Sequence, residues 1–282
     1  MGLVRFMTIF DDEFGGVLTP KHCKLFDISA PYTFFKSEGY SYLDNFNISS
    51  REYYKMVSNN TTVTEPNIPS QVFQYSYEKL RDWGYLAAFT VCPHGKWLPY
   101  YKEAVAASKR IQRTAIRHDD EFFHAHVINS KAFGIGAVLL ANTLARDFYH
   151  NRNSTRILLD YSRRYANSSV TLILTRDNTI FGNGSDLRAY KVRNTRVNEI
   201  DISKSIDSVR LDRFAEYVTK SIKKFDGRYA VSFGCNCDFA GNTIGRIEKM
   251  SKHIGLVCTQ YGITTAHALG TNTLCIHLGE YV

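Results

Sequence analysis

No stretch of this sequence approaches the roughly 18 to 20 uninterrupted apolar residues that span a bilayer. The segment from Met1 to Pro20 already carries Arg5, Asp11, Asp12 and Glu13, which is unlike a secretion signal. The expectation is an unsecreted, cytoplasmic protein with no integral membrane contact. Cysteine is sparse as well. Six residues, Cys23, Cys92, Cys235, Cys237, Cys258 and Cys275, are spread over 282 positions, far from the dense disulfide frameworks of small secreted domains. They read as reduced thiols, and in such a chain the Asn-x-Ser/Thr sequons at Asn60 and Asn167 carry no glycosylation signal.

Concentrated charge is also missing. The net charge is +8, but the basic residues are interspersed, and the densest stretch, Arg188, Lys191, Arg193 and Arg196, holds a single aromatic, Tyr190, and lacks the repeated aromatic interleaving of a nucleic-acid reader. It reads as a solvated face, so no nucleic-acid partner is expected. Complete catalytic motifs are absent too. There is no G-x-S-x-G elbow, and Gly134-Ile135-Gly136 and Gly182-Asn183-Gly184 are isolated glycine pairs rather than phosphate loops. Cys235-Asn236-Cys237 and His124-Ala125-His126 lack the spacing of a full metal site, although residues two apart on a strand share a face. Cys92, followed directly by Pro93, reads as a buried small hydrophobe. Together these absences predict a binder rather than an enzyme, with no catalytic residue, metal or cofactor.

What is present suits a globular α/β protein. Hydrophobic residues make up 44% and charged residues 22%, and the length allows two domains. Leu3 to Phe10 and Tyr85 to Cys92 are short apolar runs of strand character. Asn47-Ile48-Ser49-Ser50-Arg51-Glu52 offers a helix cap followed by an acidic first turn, and Ser70 to Trp83 repeats apolar residues near helical spacing until Gly84. The prolines at 66 and 69 make Thr61 to Ser70 a loop. Tyr100 to Arg113 reads as a helix, Phe122 to Ile128 as a strand and Gly134 to Tyr149 as a helix. This alternation predicts a mainly parallel sheet flanked by helices, with ligands collecting at the carboxyl ends of its strands. The boundary falls near Ser169, giving an N-terminal α/β domain over 1–169 and a smaller α/β domain over 170–282. In the latter, strands are expected at Val170 to Thr175 and Arg228 to Phe233, and on both sides of Gly262 to Asn272. Its helices are expected near Ser208 to Phe225 and Thr243 to His253. His267 would sit on a short polar loop, where it either binds a carboxylate or caps the loop.

Several of these segments, in order and spacing, resemble the DegV family, bacterial fatty-acid-binding proteins that serve a fatty acid kinase. Asp11-Asp12 follows the first strand where the family has Asp-Ser. Tyr42-Leu43-Asp44 and Ile48-Ser49-Ser50-Arg51-Glu52-Tyr53-Tyr54 are similar to its "Y-x-D" and "I-S-x-x-E-F-Y" segments. Val63-Thr64-Glu65-Pro66, Ile128-Asn129-Ser130-Lys131 and His267 match further family positions, so the resemblance covers nearly the whole chain.

The resemblance implies two α/β domains with a ligand tunnel near their junction. It implies a long-chain fatty acid as ligand and a kinase subunit, to which the acid's carboxylate is presented, as partner. Burying that carboxylate requires donors, and the resemblance places them at Thr64, His94, the backbone of Gly95 and His267, with Val63 and Lys96 as further candidates. Three positions depart from the family. Its head-group threonine falls at Val63, with Thr64 adjacent. Its serine-rich loop is His94-Gly95-Lys96-Trp97-Leu98-Pro99-Tyr100-Tyr101-Lys102-Glu103-Ala104 here, and its Gly-Gly-Arg turn is Gly182-Asn183-Gly184-Ser185. Two alternatives follow: a relative that has lost the lipid site and acts as a protein-interaction module, and a small-molecule enzyme using His94 and His267 as acid and base.

Overall fold

Residues 85–92 read Tyr-Leu-Ala-Ala-Phe-Thr-Val-Cys, without the polar alternation of a half-exposed strand, as a strand covered on both faces requires. The computed structural model of the chain describes residues 3–8, 28–29, 33–43, 48–59, 61–118, 123–133, 135–151, 153–177, 180–181, 186–202, 206–225, 229–234, 237–251, 257–260 and 262–279. In it this run is strand β5 (Tyr85–Cys92), and its last six residues are buried. Its neighbours are β1 (Leu3–Thr8) on one side and β6 (His124–Asn129) on the other, with β2 (Ile28–Ser29) beyond β1. All pairings are parallel. Asp11 and Asp12 lie outside the described residues.

Helices cover both faces of this sheet. Helix α1 (Ser50–Ser58) opens with the expected cap: the Glu52 N–H donates to Ser49 Oγ at 3.3 Å, and the Ser49 N–H donates back to the Glu52 carboxylate at 2.8 Å. Helices α2 (Ser70–Asp82) and α3 (Tyr100–His118) bring Phe73, Tyr77, Leu80, Ala104 and Ile111 against Met7, Ala88 and Cys92. On the opposite face, α4 (Ile135–Asn151) and α5 (Thr155–Ser168) enclose Val4, Phe6, Phe89 and Val91, with Phe6 stacked on Phe89 at 5.3 Å. A hairpin, β3 (Phe34–Ser37) and β4 (Tyr40–Leu43), lies beside α1. Its two-residue turn has φ of 49° at Glu38 and 83° at Gly39, the left-handed pair that matches hairpin twist.

The second sheet is mixed. Its order is β11-β10-β12-β7-β8-β9, from β7 (Val170–Thr175), β8 (Arg188–Arg193), β9 (Arg196–Ile200), β10 (Ala230–Phe233), β11 (Val257–Gln260) and β12 (Thr273–Leu278). Only β10 and β11 pair in parallel. The outward face, with Leu172, Leu174, Val231, Leu274 and Ile276, packs on α6 (Asp207–Ile222) and α7 (Ala240–Ser251). The inward face is turned toward the first sheet, and α4 lies between the two, touching β1 and β5 on one side and β10 and β12 on the other. A short helix, α8 (Ile263–Leu269), precedes β12.

The α/β class with a helix-covered parallel sheet is therefore observed. The β8–β9 hairpin was not foreseen. Arg188-Ala189-Tyr190-Lys191-Val192-Arg193 alternates charged and apolar residues unevenly, and only pairing with β7 shows that Tyr190 and Val192 are core residues. His267 also differs from expectation, since its surroundings are helical rather than a polar loop.

Candidate ligand-binding site

The loops that leave the carboxyl ends of β5 and β6 are tied to each other. The Ser130 N–H donates to the Cys92 carbonyl at 2.9 Å, and the His94 N–H donates to the Ala132 carbonyl at 3.0 Å. Asn129 holds both loops at once, its Oδ1 accepting from the N–H of Gly95 at 3.1 Å and of Lys131 at 3.0 Å. A side chain at position 95 has no room, because a Cβ there would lie 2.8 Å from Asn129 Nδ2 and 2.8 Å from Tyr101 Cβ. Gly95 therefore keeps its N–H for Asn129. The sequence reading placed Asn129 in a segment that resembles the family and at the end of a parallel strand, but gave it no role in the site.

His94 is fully buried and its ring is fully engaged. Nε2 is hydrogen-bonded to the carbonyl of Asn194, in the turn between β8 and β9, and Nδ1 faces the N–H of Lys96 at 3.4 Å. A carbonyl only accepts, so Nε2 carries the proton and Nδ1 the lone pair, which describes a neutral imidazole. Burial pulls the His94 pKa down to about 4, against the opposing effect of the Asn194 bond. Trp97 packs on the ring at 4.1 Å and Phe133 at 5.3 Å. His94 is thus a wall and a tether, with neither ring nitrogen left to meet a carboxylate. Lys96 is exposed, and its Nζ donates to the Thr195 carbonyl at 3.3 Å while lying over Trp97.

At positions 63 and 64 the structure brings the apolar residue inward. Val63 bridges Ser37 of β3 and packs on the first apolar cluster, whereas Thr64 is exposed and its hydroxyl accepts the Lys36 N–H at 2.7 Å. Successive residues of an extended segment point to opposite sides, so the two cannot both face the core. His267 stands on the last turn of α8, where its Nδ1 is 3.1 Å from the Tyr53 hydroxyl of α1. Although the residue is exposed overall, partial desolvation of the ring holds its pKa below the usual value, and Glu65 acts in the opposite direction. The predicted residues thus form two groups: His94, Gly95 and Lys96 at the ends of β5 and β6, and His267 with Tyr53 near the 63–65 segment.

Between these groups runs one apolar cluster that belongs to both sheets. Met7, Tyr53, Cys92, Leu98 and Phe133 from the first half meet Ile173, Tyr190, Val192, Ile263, Ala266 and Cys275 from the second. Trp97, Phe133, Phe181 and Tyr190 contact one another at 5.2 to 5.9 Å between ring centres, carrying the cluster across the junction. The inward face of the second sheet adds polar groups that the sequence reading missed. Thr175 and Thr273 share a hydrogen bond of 2.6 Å. Ser232 is wholly buried and its Oγ has no hydrogen-bond partner among the described residues. Isolated in the sequence, Ser232 gives no signal, because its burial arises only once β11 and β12 flank β10.

Among the described residues no three His, Cys, Asp or Glu side chains gather as a metal site, and no helix is long and apolar enough to cross a membrane. No family model matches the sequence, and no curated protein matches it closely enough to count. Solved structures do match. A stearic-acid-binding protein from Eubacterium ventriosum superposes with a TM-score of 0.78 at 13% identity, covering 99% of each chain. A fatty-acid-binding DegV-family protein from Streptococcus agalactiae gives 0.78 at 12% identity over 100% of both chains. The fatty-acid-binding protein DegV from Bacillus subtilis gives 0.75 at 13% identity, covering 99% of this chain and 100% of its own. The chain therefore has the two-domain fold of DegV-family structures over its full length.

Proposed function

We propose that the protein is a divergent member of the DegV family. In this reading it binds a long-chain fatty acid, lays the acyl chain in the apolar cluster shared by the two sheets, and presents the carboxylate to a separate kinase. The observation that carries the reading is that cluster, which spans both halves and is flanked by polar side chains. The full-length likeness to proteins described as fatty-acid-binding supports it. The carboxylate is assigned to the Tyr53–His267 pair, where a hydroxyl and an imidazole supply the donors that a desolvated carboxylate needs. His94 and Gly95 shape the opposite wall, with their hydrogen bonds already made inside the chain. The chemistry belongs to the kinase, and the binder works as a cytoplasmic carrier.

Titrating delipidated protein with stearic acid tests the reading. The account expects saturable one-to-one binding that is weakened about tenfold by His267→Ala, corresponding to about 1.4 kcal/mol, a usual value for a charge-assisted hydrogen bond. Absence of saturable binding to saturated and unsaturated long-chain acids alike would remove it. A second reading, a protein-interaction module without a lipid site, is favoured by one feature: the His94, Trp97, Phe133 and Phe181 rings pack on each other where an open passage would be needed. Failure to bind any acid, together with an unchanged fold, is the outcome that selects it.

A further inference from the structure

One pair of side chains on β6 lies outside the apolar cluster proposed to hold the acyl chain. His124 and His126 are two apart on this strand and therefore share a face. Their ring centres are 6.0 Å apart, and the ring planes differ by only 20°. His126 lies on the Phe89 ring of β5 at 4.9 Å, so the core holds one imidazole in place, while His124 is exposed. In the order of the first sheet β6 is the terminal strand.

We infer that His124 and His126 form a two-histidine site for a divalent transition metal, with copper(II) the preferred ion. With metal–nitrogen distances of about 2.0–2.1 Å, each ring centre lies about 3 Å from the ion, so two rings on one ion have centres no more than about 6 Å apart. The observed separation of 6.0 Å, with both side chains on one face of the strand, is at that limit. Imidazole suits copper, nickel and zinc rather than magnesium or calcium, and within that group the divalent affinity order peaks at copper. Water completes the coordination on the solvent side. The pair lies on the α4-facing side of the sheet with Phe89, apart from the cluster assigned to the acyl chain, so the inference stands independently of lipid binding.

Titration of the untagged full chain with copper(II), followed by pulsed electron paramagnetic resonance, counts the imidazoles on the ion. One copper held by two imidazoles is expected, with affinity reduced about tenfold or more in both His124→Ala and His126→Asn, because the second ligand is held at high effective concentration. His150→Ala, an exposed histidine elsewhere, leaves binding unchanged. Since His124 is exposed, its replacement keeps the fold, and a circular dichroism melt verifies this. Unchanged affinity in His124→Ala, a single imidazole on the ion, or an equal loss in His150→Ala would overturn the inference.

Discussion

Burial of His277 among Tyr165, Thr171 and Gly136 determines how one residue ties stability to pH. Its Nε2 is 2.8 Å from the Tyr165 hydroxyl, which itself donates to the Gly136 carbonyl at 2.9 Å, and its Nδ1 is 3.1 Å from the Thr171 hydroxyl. Because Tyr165 gives its proton to Gly136, His277 donates from Nε2 and accepts at Nδ1, again a neutral ring. Burial draws its pKa down to about 3 from the usual 6.5. In that window the unfolded chain takes up a proton that the folded chain refuses, so stability rises with pH from about 3 to 6.5 and is lost as pH falls through it. Urea unfolding at several pH values should show this slope. His277→Leu should make it shallower, with the share of buried His94 remaining, while costing about 1–3 kcal/mol at neutral pH by stranding Tyr165 and Thr171. An unaltered slope in that variant would refute the assignment. Position 95 gives a second test at this scale. Gly95→Ala forces a Cβ against Asn129 and Tyr101 and should lower stability by about 1–3 kcal/mol, as overpacking does, measurable by thermal melting.

Among the elements, α1 matters most to the proposed site, because it carries Tyr53 to His267. Its N-terminus rests on the Ser49–Glu52 capping box. Ser49→Ala should cost about 0.5–2 kcal/mol, and the frayed first turn should weaken stearic acid binding as well as stability. Loss of stability with unchanged binding would separate α1 from the site. That helix was legible in the sequence because a cap and an acidic partner three residues later are local signals. So was β5, since a mostly apolar run ending at Cys92 has one natural place in a parallel sheet. The β8–β9 hairpin was not legible, since its register depends on β7. The His94 tether was equally hidden: its partner Asn194 lies 100 positions away in that same hairpin. Val63 and Thr64 show the limit most simply. Residue type favoured the threonine as a donor, but the bridge to Ser37 decides which of the two faces inward.

For the whole molecule, the two sheets are joined by side chains that each half supplies incompletely. The first sheet brings Trp97 and Phe133, the second brings Phe181 and Tyr190, and His94 crosses from one half to the turn of the other. A ligand seated in this junction must change the surroundings of Trp97. The chain has only two tryptophans, and Trp83 is 64% exposed, so Trp83→Phe leaves Trp97 as the sole reporter. Its emission should shift as stearic acid binds, whereas a constant spectrum during saturable binding would place the acid elsewhere. The central claim itself is that this junction holds a fatty acid. Native mass spectrometry of the protein purified from bacteria tests it most directly. A mass addition that equals one long-chain fatty acid and disappears on delipidation is the predicted result. A bare chain mass, unchanged after incubation with added fatty acids, would contradict the claim.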